Sequence, residues 1–394
     1  MSLNDTPIVW PAQELQAQMT DATRPASAPT ALLVGASEVR IWGMSAAERL
    51  RRQLKRVGVT DVRDTPEAPA GGRTLLFRLD HAYEQRLVEA LAERPGATLV
   101  SGGVAVAANV AGAEAAAAAA ALAEGRVPAG TEALDSEGLA GSYNRKLRKR
   151  EIAYVAPLNP QTAADFEARS FAGSYKGVTD VITKYVWPLP ARIVTKWCAV
   201  LGVTPNQVTT VSLLLVFVAL WLFWTGHYGW GLVAAWIMTF LDTVDGKLAR
   251  VTMTYSKFGD VLDHGIDLIH PPFWWWAWIV GLPAVGMPLE HPGLAVGVIV
   301  GGYVVQRLLE GAFLRLFGMH MHVWRPFDSF FRLITARRNP NLVILTVFTL
   351  FGRPDLGMIV VLWWIVLSLV VHAAQVVQGI IASRKGPVTS WLSA

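Results

Sequence analysis

The chain has 394 residues, 53 % of them hydrophobic and 16 % charged, with a formal net charge of +5 and one cysteine, Cys198. That length leaves room for two or three domains, and one cysteine excludes an internal disulfide framework and fits a reducing compartment. So small a positive charge, placed beside apolar runs, points to membrane orientation and anionic substrates and away from nucleic acid.

The N-terminus, MSLNDTPIVWPAQELQ, lacks a basic stretch followed by an apolar core, so no cleaved signal peptide is expected. ALLVGA (Ala31–Ala36) reads as a buried strand. Ser45 and Glu48 form a capping-box pattern that opens an amphipathic helix carrying Leu50, Leu54 and Val57. TLLFRL (Thr74–Leu79) and ATLV (Ala97–Val100) are further strands, with a helix through Arg86–Ala92 between them. The alanine-rich run Ala113–Ala123 is explained by helix propensity alone. Strands alternating with helices predict that residues 1–170 form a soluble α/β domain, Rossmann-like, with a largely parallel sheet.

Residues 171–207 read as a juxtamembrane amphipathic segment. Lys184, Arg192 and Lys196 alternate there with Val186, Trp187, Ile193 and Trp197, a pattern suited to the membrane interface. Pro188 and Pro190 are expected to break it into two pieces.

Residues 208–394 carry six apolar segments, near Val208–Trp224, Gly229–Leu241, Leu268–Val285, Leu294–Phe317, Leu342–Phe351 and Leu356–Ile381. About 20 mostly apolar residues cross the hydrocarbon core of a bilayer. The first, fourth and sixth segments reach that length, the second and third do so with their aspartate-bearing ends, and the fifth is short. Lys247, Arg250 and Lys257 fall between segments two and three. Arg325, Arg332, Arg337 and Arg338 fall between four and five, and Arg384 and Lys385 follow six. The opposite loops hold only Arg353. This charge bias predicts an α-helical membrane domain of about six transmembrane helices with both termini cytoplasmic.

Four carboxylates stand in this apolar half: Asp242, Asp245, Asp263 and Asp267. Charge beside a bilayer is costly without a partner. Spacings of three and four residues put each pair on one helix face, so two facing helix ends make an oxygen-lined pocket for a hard divalent cation. Helix-end carboxylates that merely solvate a loop account for two aspartates but not for the whole pattern around them. Asp242-x2-Asp245-Gly246-x2-Ala249-Arg250-x8-Gly259-x3-Asp263-x3-Asp267 resembles the signature of the CDP-alcohol phosphotransferases (CDP-alcohol phosphatidyltransferase family), with every position present. TPNQVT (Thr204–Thr209) is also similar to the start of that family's first span.

The resemblance implies a metal-dependent transferase in phospholipid biosynthesis. It moves a substituted phosphate from a CDP-alcohol to an acceptor hydroxyl and releases CMP. Asp242, Asp245, Asp263 and Asp267 are the implied ligands of Mg²⁺ or Mn²⁺, with two ions expected, and Asp267 is the implied general base. Asp242, Gly246, Ala249, Arg250 and Gly259 are the implied CDP-binding positions. Gly246 and Gly259 allow close approach, and Arg250 offers a forked cation to phosphate. The family also implies a homodimer. Asp260 and His264 lie outside the pattern and read as a cap and a solvated side chain.

A second constellation follows the fourth segment. Arg325, Arg332, Arg337 and Arg338, with His320 and His322, face one acid, Asp328. Loop topology explains part of this; the remainder reads as a phosphate pocket for a phosphorylated polyol acceptor. Arg307 and Glu310, inside the fourth segment, read as a structural pair lining the site. The two histidines read as polar and non-ligating. The arginine loop leans toward a phosphorylated acceptor and the fused N-terminal domain toward a polar head-group donor; together they suggest inositol phosphate chemistry, with an inositol phosphate or other phosphorylated polyol as acceptor.

The N-terminal domain is weakly similar to the sugar- or inositol-phosphate nucleotidyltransferase domains that some family members carry. Residues Gly35 to Arg40 stand where such enzymes have a GxGxR loop, and Asp80 stands where they hold a metal-binding aspartate. Ser37 replaces the second glycine and Arg40 comes one position late, so a degenerate, inactive domain is expected. Two other classes stay open. One is a polytopic transporter or channel with a cytoplasmic regulatory domain, and the other is a regulatory protein built from two inactive domains. Helix-end aspartates rather than midplane charges count against the transporter. The expected location is an integral membrane, the inner or cell membrane in a bacterium, with the active site cytoplasmic.

Overall fold

The structure, a computed structural model, describes residues 29–65, 72–144, 146–254 and 257–393. The side chains of Lys257, Phe258 and residues 260–264 lie outside the described residues, as do residues 1–28 and the expectations placed there. The chain divides into two compact units. One holds residues up to Val39, Ser45–Gly141 and Ala153–Thr162; the other holds Arg40–Met44, Ser142–Ile152 and Ala163–Ala394.

The first unit is built on a six-stranded sheet with helices α1 (Ala46–Arg56), α2 (Gln85–Glu93), α3 (Ala115–Ala123) and the single turn α4 (Ser136–Ala140). Ser45 caps α1 by accepting the Glu48 amide, as its spacing predicts. Thr30–Val34 pairs in parallel with Val62–Arg63 and Arg73–Arg78, and Ala97–Ser101 pairs in parallel with Glu132–Leu134.

The sheet is nonetheless mixed. Val104–Ala111 lies antiparallel to both Arg73–Arg78 and Ala97–Ser101, which corrects the expectation of a largely parallel sheet. Five alanines or asparagines in VAVAANVA give that strand little β propensity, so it is hard to read from composition. The signal lies in the turn: Gly102 and Gly103 both adopt positive φ, the geometry of a two-residue hairpin. Leu32, Leu76, Ala105, Ala108 and Val110 form the core with Ala118 and Leu122 of α3.

The second unit is helical. It comprises α5 (Pro160–Gly173), most of which falls in this unit, α6 (Pro188–Leu201), α7 (Pro205–Trp224), α8 (Tyr228–Thr252), α9 (Lys257–Gly281), α10 (Pro292–Phe317), α11 (Pro326–Ile334), α12 (Arg338–Leu350) and α13 (Pro354–Ser383). Pro188 opens α6 after the separate turn Ile182–Val186, so the segment does fall into two pieces; Pro190 sits in the first turn of α6, where a missing N–H costs nothing. α7 starts with a reciprocal capping box, Gln207 N to Thr204 Oγ1 and Thr204 N to Gln207 Oε1, with Pro205 following the cap.

Four of the six apolar segments fall within a helix; Leu268–Val285 runs past the end of α9 into the short turn Leu282–Val285, and Leu342–Phe351 ends one residue past α12. Among the described residues, α7, α10 and α13 are long and apolar enough to cross a membrane, whereas α12 has only 13 residues. Trp274, Trp275 and Trp278 of α9 are buried against Phe223 of α7 and Tyr228 of α8. Their polar edges are matched: Trp274 Nε1 donates to Val216 O, Trp278 Nε1 donates to Pro354 O, and the Tyr228 hydroxyl donates to Trp278 O.

Pro271 and Pro272 sit inside α9 and remove two helical donors. The Leu268 carbonyl, which would have bonded residue 272, instead accepts the Tyr303 hydroxyl at 2.9 Å. This bond ties α10 to α9 one residue beyond Asp267.

Candidate active site

One cavity of about 410 Å³ gathers the predicted residues from α8, α9 and α12. α8 contributes Asp242, Asp245, Gly246, Ala249 and Arg250, and α9 contributes Gly259 and Asp267. Asp263 also lies on α9, one helical turn before Asp267, but its side chain is outside the described residues, as are those of Asp260 and His264.

Asp245 is 3 % exposed and stands 2.6 Å from the Thr209 hydroxyl of α7. Asp242 and Asp267 are reached by the same guanidinium: Arg338 Nη2 lies 2.7 Å from Asp242 Oδ2, and Nη1 lies 2.5 Å from Asp267 Oδ1. Carboxylates from two helices therefore face one point. They offer only oxygen donors, the chemistry of a Mg²⁺ or Mn²⁺ site, and the structure already draws a cation to them.

Around these acids the cavity is basic. Eight Lys or Arg side chains line it against four aspartates among the described residues. Arg332, Arg337 and Arg338 of the predicted phosphate pocket are there. Arg325 is engaged elsewhere: it forms a double contact with the buried Asp328 and lies over the Trp324 ring. Asp328 is the acid three residues on, and its own second partner is Gln375 of α13.

Arg337 is fixed from behind by Glu310, at 2.5 Å, and the same carboxylate takes Arg307 at 2.8 Å. The expected Arg307–Glu310 pair is thus present and extends to Arg337. His322 also faces Glu310, and with His372 of α13 the three could hold a metal ion by distance. Two guanidinium groups already neutralise Glu310, so the cluster is better suited to holding arginines than a second cation.

Several cavity residues escaped sequence reading. Lys247 stands inside the aspartate motif, where sequence position marks it only as a loop charge. It is buried, donates to Ser174 O and lies 3.3 Å from the Tyr175 ring centroid. Arg148 and Lys176 enter from upstream segments with no apolar period to flag them. Asp180 is buried and accepts from Thr183 N, Thr183 Oγ1 and Asn339 Nδ2. Burial alone would raise its pKa, but the Arg332 charge and these hydrogen bonds hold it below the usual carboxylate range. The Asp-x-x-Thr spacing at Asp180–Thr183 is the local sequence signal of this cap.

In the first unit, Asp80 is taken up by its neighbours. Arg78 forms a double contact with it, and His81 Nδ1 lies 2.7 Å away. Partial burial pushes its carboxyl up, yet the Arg78 and His81 hydrogen bonds leave it below the ordinary value.

Residues 202–336 match the family model for CDP-alcohol phosphatidyltransferase. That stretch, about a third of the chain, is similar to the CDP-alcohol phosphatidyltransferases. An archaetidylinositol phosphate synthase of Pyrococcus horikoshii is 26 % identical over 194 residues, 47 % of this chain and 91 % of that relative. A phosphatidylinositol phosphate synthase of Corynebacterium glutamicum is 42 % identical over 85 residues, 20 % of this chain and 39 % of the relative. Cholinephosphotransferase 1 of Xenopus laevis is 28 % identical over 147 residues, 34 % of each chain. The match therefore spans most of the archaeal relative but well under half of the other two. The phosphatidyltransferase match begins at the Gly202 cap of α6 and runs through α7 to α11, taking in all four aspartates.

Proposed function

We propose that this chain is an integral-membrane CDP-alcohol phosphotransferase of phospholipid biosynthesis, with a phosphorylated polyol of the inositol phosphate class as acceptor. The observation that carries this reading is the single cavity in which motif carboxylates from α8 and α9 meet arginines from α10, α11 and α12. Carboxylates suit a metal-bound pyrophosphate, and the surplus of arginine suits a second, separate phosphate.

In the reaction, the acceptor oxygen attacks the phosphorus that bears the alcohol. The bond from that phosphorus to the CMP oxygen breaks, and its electron pair leaves with CMP. Asp242, Asp245, Asp263 and Asp267 are the residues that would hold Mg²⁺ or Mn²⁺, which when bound neutralises the pyrophosphate and stabilises the departing CMP. Arg250 and Lys247 sit on α8 beside the aspartates and offer positive charge to the cytidine diphosphate. Asp267 takes the acceptor's hydroxyl proton. Arg332 and Arg337 bind the acceptor phosphate, with Glu310 keeping Arg337 in place. Arg325, held by Asp328, has no part in that contact.

The wider architecture follows the same reading. Six helices, α7 to α10, α12 and α13, cross the membrane, with the site and both termini on the cytoplasmic side where the basic loops lie. The N-terminal unit is a degenerate nucleotidyltransferase-like domain that scaffolds or delivers a nucleotide donor, and the assembled enzyme is a homodimer with two ions per site. Full-length protein in detergent, given labelled CDP-diacylglycerol and a panel of inositol phosphate, inositol and glycerol phosphate, tests the proposal. Metal-dependent CMP release with a phosphorylated inositol product is expected, and it is abolished by EDTA. Lipid product from an unphosphorylated acceptor alone would remove the acceptor assignment, and the absence of CMP with every acceptor would remove the activity.

A further inference from the structure

Arg338 holds a place that the sequence does not suggest. It is the first residue of α12, and its neighbour Arg337 caps that helix while bonded to Glu310. Arg338 turns instead to the motif aspartates and places one guanidinium nitrogen on Asp242 and the other on Asp267. Its side chain is 13 % exposed and that of Asp242 14 %, so this half of the contact is made out of bulk water, whereas the Asp267 side chain is 44 % exposed. Its other polar neighbours are weak partners, Asn339 Oδ1 at 3.4 Å and Met238 Sδ at 3.8 Å. The two aspartates are therefore what holds the guanidinium where it is.

We infer that Arg338 is a built-in counter-cation of the aspartate site, which a divalent ion must displace in order to bind. This rests on the proposed metal role of the aspartates. The oxygens that Arg338 occupies, Asp242 Oδ2 and Asp267 Oδ1, are ones a hard cation would use, and a lone pair engaged by N–H cannot also face an ion. The planar fork of arginine spans two carboxylates from different helices, which a lysine ammonium does less well. With the guanidinium in place the charge of the two acids is halved and they are kept together; with the ion in place the guanidinium is released. It is then free to join Arg332 and Arg337, which line the same cavity. Ion binding thereby adds a cation to the anion-binding side of the site.

The competition lowers the apparent ion affinity by the fraction of time that Arg338 occupies the acids. The test is Mn²⁺ binding to the full-length protein in detergent, read from the electron paramagnetic resonance signal of free Mn²⁺, together with Tm in EDTA and in saturating Mn²⁺. Arg338→Gln is expected to bind Mn²⁺ about tenfold more tightly, with Arg338→Lys between it and the parent. Its Tm is expected to fall in EDTA, where the acids repel each other, and to return to the parent value in Mn²⁺. Affinity that is unchanged or weaker in Arg338→Gln would overturn the inference, as would a Tm loss equal in both conditions, the mark of a purely structural role. Asp242→Asn separates this from the underlying metal assignment. Loss of Mn²⁺ binding in that variant leaves the assignment standing whatever Arg338 does, and retained binding overturns both.

Discussion

The Thr209 hydroxyl of α7 lies 2.6 Å from Asp245 Oδ2 of α8, and both side chains are buried. A motif carboxylate is thus aimed by a residue 36 positions earlier in the chain. Groups that orient a metal ligand commonly affect affinity about 10–100-fold. Thr209→Val keeps the shape and removes the hydroxyl, so Mn²⁺ affinity is expected to fall about tenfold with Tm little changed. Titration of Mn²⁺ against the purified variant checks this, and an unchanged affinity removes the aiming role.

Asp267→Asn retains the size of the side chain and loses its capacity to take a proton. General-base removal commonly costs about 10²–10⁴-fold in rate. Turnover is expected to fall by that order while binding of the CDP-alcohol donor, measured by calorimetry, stays close to the parent. Retained turnover would remove the proton-accepting role from Asp267.

Glu310 holds both Arg307 and Arg337 and is 18 % exposed at its side chain. Breaking such a buried arrangement by removing the acid costs about 3–5 kcal/mol. Glu310→Gln is expected to lower Tm and to raise KM for the phosphorylated acceptor while leaving KM for the donor unchanged. A parallel rise in both constants would point to general loosening instead of a role in holding Arg337.

Gly281 ends α9 where it meets the end of α7. A Cβ there would fall 2.0 Å from the Phe223 carbonyl oxygen, a backbone atom that cannot swing away. Gly281→Ala therefore forces the two helices apart, at about 1–3 kcal/mol. Thermal unfolding in detergent should show the loss, whereas Gly297→Ala on α10, with open space around it, should not.

Asp180 sets a pH dependence. Its folded carboxyl sits below the ordinary value because, against the cost of burial, the Arg332 charge and three hydrogen bonds favour the ionised form. A depressed folded pKa gives stability that is fully present above the unfolded value of about 3.9 and is lost as pH falls through the folded one. Asp180→Asn should lower Tm near neutrality and reduce its fall between about pH 5 and pH 3. An acid limb as steep as the parent's would show that other carboxylates set it.

The aspartate motif was legible because helical spacing alone puts Asp242 with Asp245, and Asp263 with Asp267, on common faces. Length and hydropathy likewise marked the apolar segments, three of which lie in helices that are, among the described residues, long and apolar enough to cross a membrane. Local caps such as Ser45 and Thr204 could also be read, being satisfied within a few residues. The strand Val104–Ala111 was hidden by its alanines, and the mixed sheet with it. Arg325 looked like its neighbours Arg332 and Arg337, because nothing in the string tells an arginine facing Asp328 from one facing a cavity.

What the sequence determined by itself was therefore local: which residues form helices, which helix faces carry carboxylate, and which family the C-terminal half matches. Tertiary structure alone decided which charges meet. Glu310 with Arg337 and Arg338 with Asp242 and Asp267 are separated by 27 to 96 residues, and no local periodicity spans such distances. Coulombic and hydrogen-bond energies depend on separation in space, which only the packing of helices sets, so each arginine's role was settled by its neighbours in the fold.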